Sequence, residues 1–261
     1  MPKAGEMTYF EQIGEAGRRH SLRKPFSKGQ RAEGTTCGDH LMGFGGLATL
    51  LHPTPSRLLD LGCGTGWTSC FFTRMGYEVV GQDISSQAIE LARDFAAGED
   101  LDDVTFIASD YESLGYENCF DNAVFFDSLH HSVDERLALE SVYRALRPGG
   151  VCVTREPGVG HGDAQASLDA VEIYGVTERD MPPTLIAKQA FEIGFRQVNV
   201  YPFPNTSFRM QCGIRHSRMH GPRTPLKHWW KKVCGSIKAA RYAARAHWQM
   251  YDVGGFVQLV K

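Results

Sequence analysis

From Arg57 onward, short apolar runs alternate with stretches whose apolar residues recur at helical spacing. The runs are Leu58–Leu61, Glu78–Gln82, Val104–Ala108, Asn122–Phe126, Val151–Thr154, Val198–Tyr201 and Gly255–Val260, each the length of a strand. Among them lie helical patterns at Thr65–Met75, at Ser86–Ala97 behind a serine cap, and at Asp134–Leu146. The last of these places Leu139, Val142, Tyr143 and Leu146 on one face and stops at Arg147-Pro148-Gly149-Gly150, a Pro/Gly terminator. A further helix, Thr184–Ile193, ends at Gly194. Strands alternating with helices in this way predict βαβ units and a parallel sheet, here of seven strands.

Before the sheet, Met7–Gly17 and Asp39–Leu51 carry helical patterns, joined by the Gly- and basic-rich link Lys24–Gly38. They are expected to form an N-terminal helical cap, or an arm that only packs on the core. The organisation expected is a cap over 1–50, an α/β core over 51–204, an insertion over 205–251 and a final core strand over 252–261. A chain of 261 residues can bury a full-sized core in this arrangement.

Composition narrows the setting. No apolar run is long enough to cross a bilayer, and no apolar stretch follows the first residues, so neither a membrane span nor a signal peptide is expected. The seven cysteines are scattered without a C-x-x-C pair, which argues against a disulfide framework and a zinc site. A cytoplasmic location and no resident metal are the expectations. The net charge of −2 hides an asymmetry. From Asn205 to Tyr251 there is no acid, yet Arg209, Arg215, Arg218, Arg223, Lys227, Lys231, Lys232, Lys238, Arg241 and Arg245 lie there. Within it, His228–Trp248 aligns Trp230, Val233, Ile237, Ala240, Ala244 and Trp248 in one helical stripe beside the cations.

The chemistry concentrates in Asp60-Leu61-Gly62-Cys63-Gly64-Thr65-Gly66. A buried strand runs into a glycine turn and then a helix, and glycines are required where the backbone takes positive φ and a ligand approaches closely. The spacing is G-x-G-x-G, with Trp67 where a dinucleotide-binding motif needs a third glycine. Asp83, 21 residues after Gly62, ends the second strand and can accept both hydroxyls of a ribose. The third strand ends in Asp110-Tyr111, a carboxylate positioned to accept an adenine amino group. Three such elements at successive strand ends mark one ligand edge.

These motifs, within Arg57–Gly150, resemble class I S-adenosylmethionine-dependent methyltransferases. Asp60–Gly66 is similar to the family's first motif, Asp83 to its ribose acid, Asp110 to its adenine contact, and Arg147–Gly150 to the turn before its fifth strand. The resemblance implies a Rossmann-like, doubly wound sheet in the order 3-2-1-4-5-7-6 with the last strand antiparallel. It also implies S-adenosyl-L-methionine as cofactor, held by Asp60, Gly62, Cys63, Gly64, Gly66, Asp83, Ile84, Asp110, Tyr111 and Phe126. The end of the fourth strand, Phe126-Asp127-Ser128-Leu129-His130-His131, looks like the Leu-His-His of the ubiquinone-type and sugar O-methyltransferase branch. There one histidine can take the proton from an acceptor hydroxyl, a role that suits an imidazole because its pKa lies near the working pH. His131, or failing it His130, is the candidate base, and walling the cofactor pocket is the alternative for both. Glu156 sits where that branch carries an acid supporting the histidine. A solvated glutamate and a structural His161 are the plain readings of the loop after strand five.

The function expected is methylation of a small-molecule or lipid-linked acceptor, a hydroxyl of a glycan or glycolipid above all. The run Tyr174–Pro182 looks like methyltransferases of surface-polysaccharide biosynthesis. The alternatives are a nucleic-acid methyltransferase and a non-catalytic S-adenosylmethionine-binding protein. The basic segment has three readings: it holds a phosphate-bearing acceptor, it docks on an anionic membrane at the inner surface, or it packs on the core.

Overall fold

The computed structural model describes residues 3–27, 37–203 and 254–261, together with Val233, Ile237, Ala240, Arg241, Ala244, Tyr251 and Asp252. At its centre lies β1 (Arg57–Leu61), whose Leu58 and Leu59 are both fully buried because successive side chains enter opposite faces of the sheet. Around it stand β2 (Glu78–Asp83), β3 (Val104–Ala108), β4 (Phe120–Phe126), β5 (Leu146–Arg155), β6 (Gln197–Pro202) and β7 (Gly255–Val260). The seven strands run in the order β3-β2-β1-β4-β5-β7-β6. Strands β1 to β5 pair in parallel, and β7 runs antiparallel to both neighbours, with Val151 opposite Val260 and Tyr201 opposite Phe256.

Helices cover both faces. Leu59, Leu61, Phe125, Cys152 and Leu259 meet α6 (Glu135–Ala145) and α8 (Pro183–Ile193) on one side. Leu58, Val79, Val124, Val153 and Phe256 meet α3 (Cys37–Ala48) and α4 (Trp67–Arg74) on the other. The ends of these helices are written locally. Ser85 Oγ accepts the Ala88 N–H at the start of α5 (Ser86–Gly98), Asp134 Oδ1 accepts that of Leu137 at the start of α6, and left-handed Gly194 ends α8.

Three boundaries differ from the pattern-based expectation. The N-terminal helix divides into α1 (Ala4–Gln12) and α2 (Gly14–Leu22), because Gly14 takes φ +66°. The stretch Leu146–Gly150 belongs to β5, where Leu146 pairs with Phe120 ahead of a register irregularity. A helix the pattern did not show, α7 (Gln165–Tyr174), lies between β5 and α8. Its exposed Leu168, Val171 and Ile173 blur the apolar periodicity on which such readings depend. Of the basic insertion, the described positions 233, 237, 240, 241 and 244 are helical, with Ile237, Ala240 and Ala244 exposed. The rest of that expectation, Trp230 and Trp248 included, lies outside the described residues.

Candidate active site

The strand ends β1, β2, β3 and β4 open into a cavity of about 230 Å³. Its wall holds Gly62, Gly64, Asp83, Ile84, Asp110, Tyr111 and His131. The turn after β1 is what shapes the floor. Gly62 has φ +66°, and a Cβ there would meet the Ser128 side chain at 2.5 Å, so only glycine keeps this approach open. Asp83 Oδ2 accepts the Gly64 N–H at 2.8 Å and Oδ1 accepts the Ser85 N–H at 2.9 Å. Burial pushes the Asp83 carboxyl up, against those two hydrogen bonds. Each oxygen keeps a lone pair for a ribose hydroxyl. Asp110 is shared: Lys3 donates to its Oδ2 and the Glu112 N–H to its Oδ1.

Four residues expected to hold the cofactor do other work. Asp60 is buried away from the cavity, and its Oδ2 accepts the hydroxyls of Thr68 and Ser69 at 2.6 Å each, tying α4 to β1. Burial raises its carboxyl to about 6 despite those bonds. The Cys63 N–H donates to the Gln82 carbonyl, and burial pushes the thiol up. Gly66 is left-handed, and a Cβ there would strike Ala92 and Phe106 at 2.9 Å, so this glycine serves helix packing. Phe126 faces Trp67 and His40 on the far side of the sheet.

The two histidines part company. His130 is buried, and its Nδ1 donates to Glu156 Oε2 at 2.7 Å. Glu156 is not solvated: it is 1% exposed and also accepts the backbone N–H groups of Ser128, Leu129 and His130. It therefore fixes the short 3-10 turn Leu129–His131, and its side chain supports His130, not His131. His131 lines the cavity. Its Nδ1 donates to the Thr177 carbonyl at 2.6 Å and lies 3.6 Å from Glu6 Oε1, and Glu6 also accepts the Thr177 N–H. Burial opposes a charge on this ring, but Glu6, Glu178 and the Thr177 carbonyl outweigh it and raise the imidazole to about 9. His161 is part of the same assembly, donating to Glu178 Oε2 at 2.6 Å. Burial works against the Glu178 carboxylate, yet His161 and its neighbours hold it below the usual range.

Sequence reasoning missed Lys3, Glu6, Tyr9, Phe10 and Lys24 on the cavity wall, all from the N-terminal helices or the residues flanking them. It also missed Glu178, although the run containing that residue stood out. None of these lies near the strand-end motifs, so local spacing carries no sign of them.

The cradle fits S-adenosylmethionine: a glycine floor, a carboxylate at the end of β2 and another at the end of β3, around one cavity. Residues 59–154 match the family model described as a methyltransferase domain. Residues 59–154 are a methyltransferase domain, and its glycine turn and strand-end acids are similar to those of the class I S-adenosylmethionine-dependent kind. This domain is 35% identical over 97 residues to methyltransferase GfsG of Streptomyces halstedii, covering 36% of this chain and 35% of that protein. It is 39% identical over 97 residues to 27-O-demethylrifamycin SV methyltransferase of Amycolatopsis mediterranei, covering 36% of each. The chain thus spans little more than a third of the length of these curated relatives. The methyltransferase fold extends beyond the matched segment. The crystal structure of the cyclase SpnF superposes with a TM-score of 0.62 over 97% of this chain and 94% of that one, at 20% identity. S-adenosylmethionine is the cofactor of this domain family. No helix among the described residues is long and apolar enough to cross a membrane.

Proposed function

We propose that the protein transfers a methyl group from S-adenosylmethionine to a hydroxyl of a small-molecule acceptor, with His131 as general base. The observation that carries this reading is the placement of His131: it shares one cavity with Gly62, Gly64, Asp83 and Asp110, while His130 is withdrawn behind Glu156. Bound S-adenosylmethionine supplies an electrophilic methyl group on a sulfonium. The chain supplies the rest. Asp83 and Asp110 hold the nucleoside, and Tyr9, Phe10 and Val176 give the cavity an apolar stretch of wall. His131 accepts the hydroxyl proton through Nε2, since Nδ1 is engaged by the Thr177 carbonyl. A positioned base of this kind accounts for about 10²–10⁴-fold in rate.

A glycan or glycolipid hydroxyl is the acceptor we favour, because the run Tyr174–Pro182, which looks like methyltransferases of surface-polysaccharide biosynthesis, is the one that supplies Thr177 and Glu178 to the surroundings of His131. The relative named for 27-O-demethylrifamycin SV supports an oxygen acceptor. The acid-free segment 205–251 supports an anionic group on that acceptor or on the membrane carrying it. His130, His131 and Glu178 each offer a ligand atom within 4.8 Å of the others. We read them as an acid–base network, because Glu156, the Thr177 carbonyl and His161 already hold one atom of each.

Mass spectrometry of glycolipids and small metabolites from cells with and without the gene tests the reading. A species one methyl group heavier, appearing only with the gene, is expected, and His131→Ala should lower kcat about 10²–10⁴-fold with cofactor affinity nearly intact. A heavier nucleic acid in place of a small molecule would overturn the acceptor class.

A further inference from the structure

The charges on the cavity wall are unequal in kind. Carboxylates come from Glu6, Asp83, Asp110, Glu112, Asp127 and Glu178, and cations from Lys3, Lys24 and His131. Lys3 is tied to Asp110 and Glu112, and Asp127 to Arg155. A lysine keeps its charge at neutral pH, and more firmly beside two carboxylates. An imidazole is the only cation of this wall that can discharge near neutrality.

We infer that His131 is a charge sensor for the sulfonium: it carries a proton in the ligand-free cavity and releases it when S-adenosylmethionine enters, so that the base is armed by the cofactor it works with. This rests on the cofactor and base assignments above.

The physical case is one of like charges. In the free protein His131 shares the cavity with three carboxylates that act on its charge: Glu6 on α1, 3.6 Å from Nδ1, Glu178 on the segment after α7, and Asp83 at the end of β2. Tyr9 of α1, Tyr111 after β3, His130 on the same turn and His161 beyond Glu178 complete its titratable surroundings. Against the cost of burial, Glu6, Glu178 and the Thr177 carbonyl stabilise the imidazolium and raise its pKa to about 9. His131 lines the same cavity of about 230 Å³ as Gly62, Gly64, Asp83 and Asp110, so a sulfonium held there would share that space with the ring. Two cations in that space, partly shielded from water, repel by more than the free energy of moving a pKa one or two units. The carboxylates then neutralise the sulfonium, and the proton passes to solvent. In the transfer the ring takes the acceptor's hydroxyl proton, the product is an uncharged thioether, and the carboxylates around His131 hold that proton on the ring. His131 would thus end each turnover in its protonated, resting state.

The Glu6 contact gives α1 a part in this. Glu6 sets the ring through two links, 3.6 Å to Nδ1 and a 2.6 Å bond from the Thr177 N–H, so it acts as a positioning residue for the base.

Isothermal titration calorimetry at pH 8, in buffers of different ionisation enthalpy, counts the protons released on binding. S-adenosylmethionine and S-adenosylhomocysteine carry the same nucleoside and amino-acid groups and differ by the methyl group and its charge. The wild-type protein should release most of one proton more with S-adenosylmethionine than with S-adenosylhomocysteine. That difference should vanish in His131→Gln and shrink in Glu6→Gln, where fewer rings start protonated. Equal proton release for the two ligands in the wild-type protein would overturn the inference, as would an undiminished difference in His131→Gln. If neither ligand binds, it is the cofactor assignment that fails.

Discussion

Glu156 and His130, on neighbouring strand ends, form a closed unit: Glu156 Oε2 accepts the ring Nδ1–H at 2.7 Å, and the two carboxylate oxygens also collect three backbone N–H groups of residues 128–130. Removing the carboxylate strands those buried donors. Glu156→Ala is expected to lower stability by about 3–5 kcal/mol, and Glu156→Gln, which keeps one acceptor, by about 1–3 kcal/mol. Urea unfolding followed by circular dichroism measures both. A loss under 1 kcal/mol in Glu156→Ala would show that water replaces the carboxylate.

The raised pKa of His131 makes stability depend on pH in the alkaline range. The ring binds its proton more tightly in the folded state, at about 9, than a free histidine does at about 6.5. Its stabilising contribution is therefore complete below pH 6.5 and lost as pH rises through 9. The urea midpoint of the wild-type protein should fall between pH 6.5 and 9.5, and His131→Gln should flatten that stretch of the curve. An identical slope in the variant would assign the loss to other groups.

Asp83→Ala removes the acceptor at the end of β2 and frees the Gly64 N–H. S-adenosylhomocysteine binding should weaken by about 1.5–3 kcal/mol, roughly 10- to 150-fold in Kd. Calorimetry showing unchanged affinity would take Asp83 out of the cofactor site.

Chelation should leave turnover intact, since His130, His131 and Glu178 are read as hydrogen-bonded to one another's neighbours and not as ligands. Protein dialysed against EDTA, with its metal content measured by mass spectrometry, should retain full activity. Loss of activity restored by a divalent cation would make the network a metal site instead.

Reversal of Lys231, Lys238 and Arg245 to Glu tests the acid-free segment. If it engages an anionic acceptor or lipid, the triple change should raise KM or abolish binding to phosphatidylserine vesicles, and the wild-type interaction should weaken with salt. Exposed charges without a partner cost little, so unchanged, salt-independent kinetics and no vesicle binding would leave the segment a structural element.

The sheet was legible because parallel strands buried on both faces read as apolar runs, and the cradle because glycine turns and strand-end acids have a fixed local spacing. Asp60 misled for the same reason. It belongs to the motif by position, yet its hydroxyl partners Thr68 and Ser69 make it an anchor for α4. The acid beside the base could not be read at all. Glu156 is near the histidines in the chain's own logic and supports His130, whereas Glu6 reaches His131 from an opening helix. Contacts between distant segments leave no periodic trace, and α7 shows that an exposed apolar surface can erase even a local one.

The cavity wall has two origins, and this sets how such a protein can change what it acts on. Gly62, Gly64, Asp83, Asp110 and His131 come from the segment 59–154, while Glu6, Tyr9, Phe10, Ala170, Val176 and Glu178 come from the flanks on either side. One continuous stretch of chain thus supplies the glycine turn, the strand-end acids and His131, and the flanks supply the opposing wall. Exchange of α1 and α7 would replace Glu6, Tyr9, Phe10 and Ala170 on the wall and leave Gly62, Gly64, Asp83 and His131 in place.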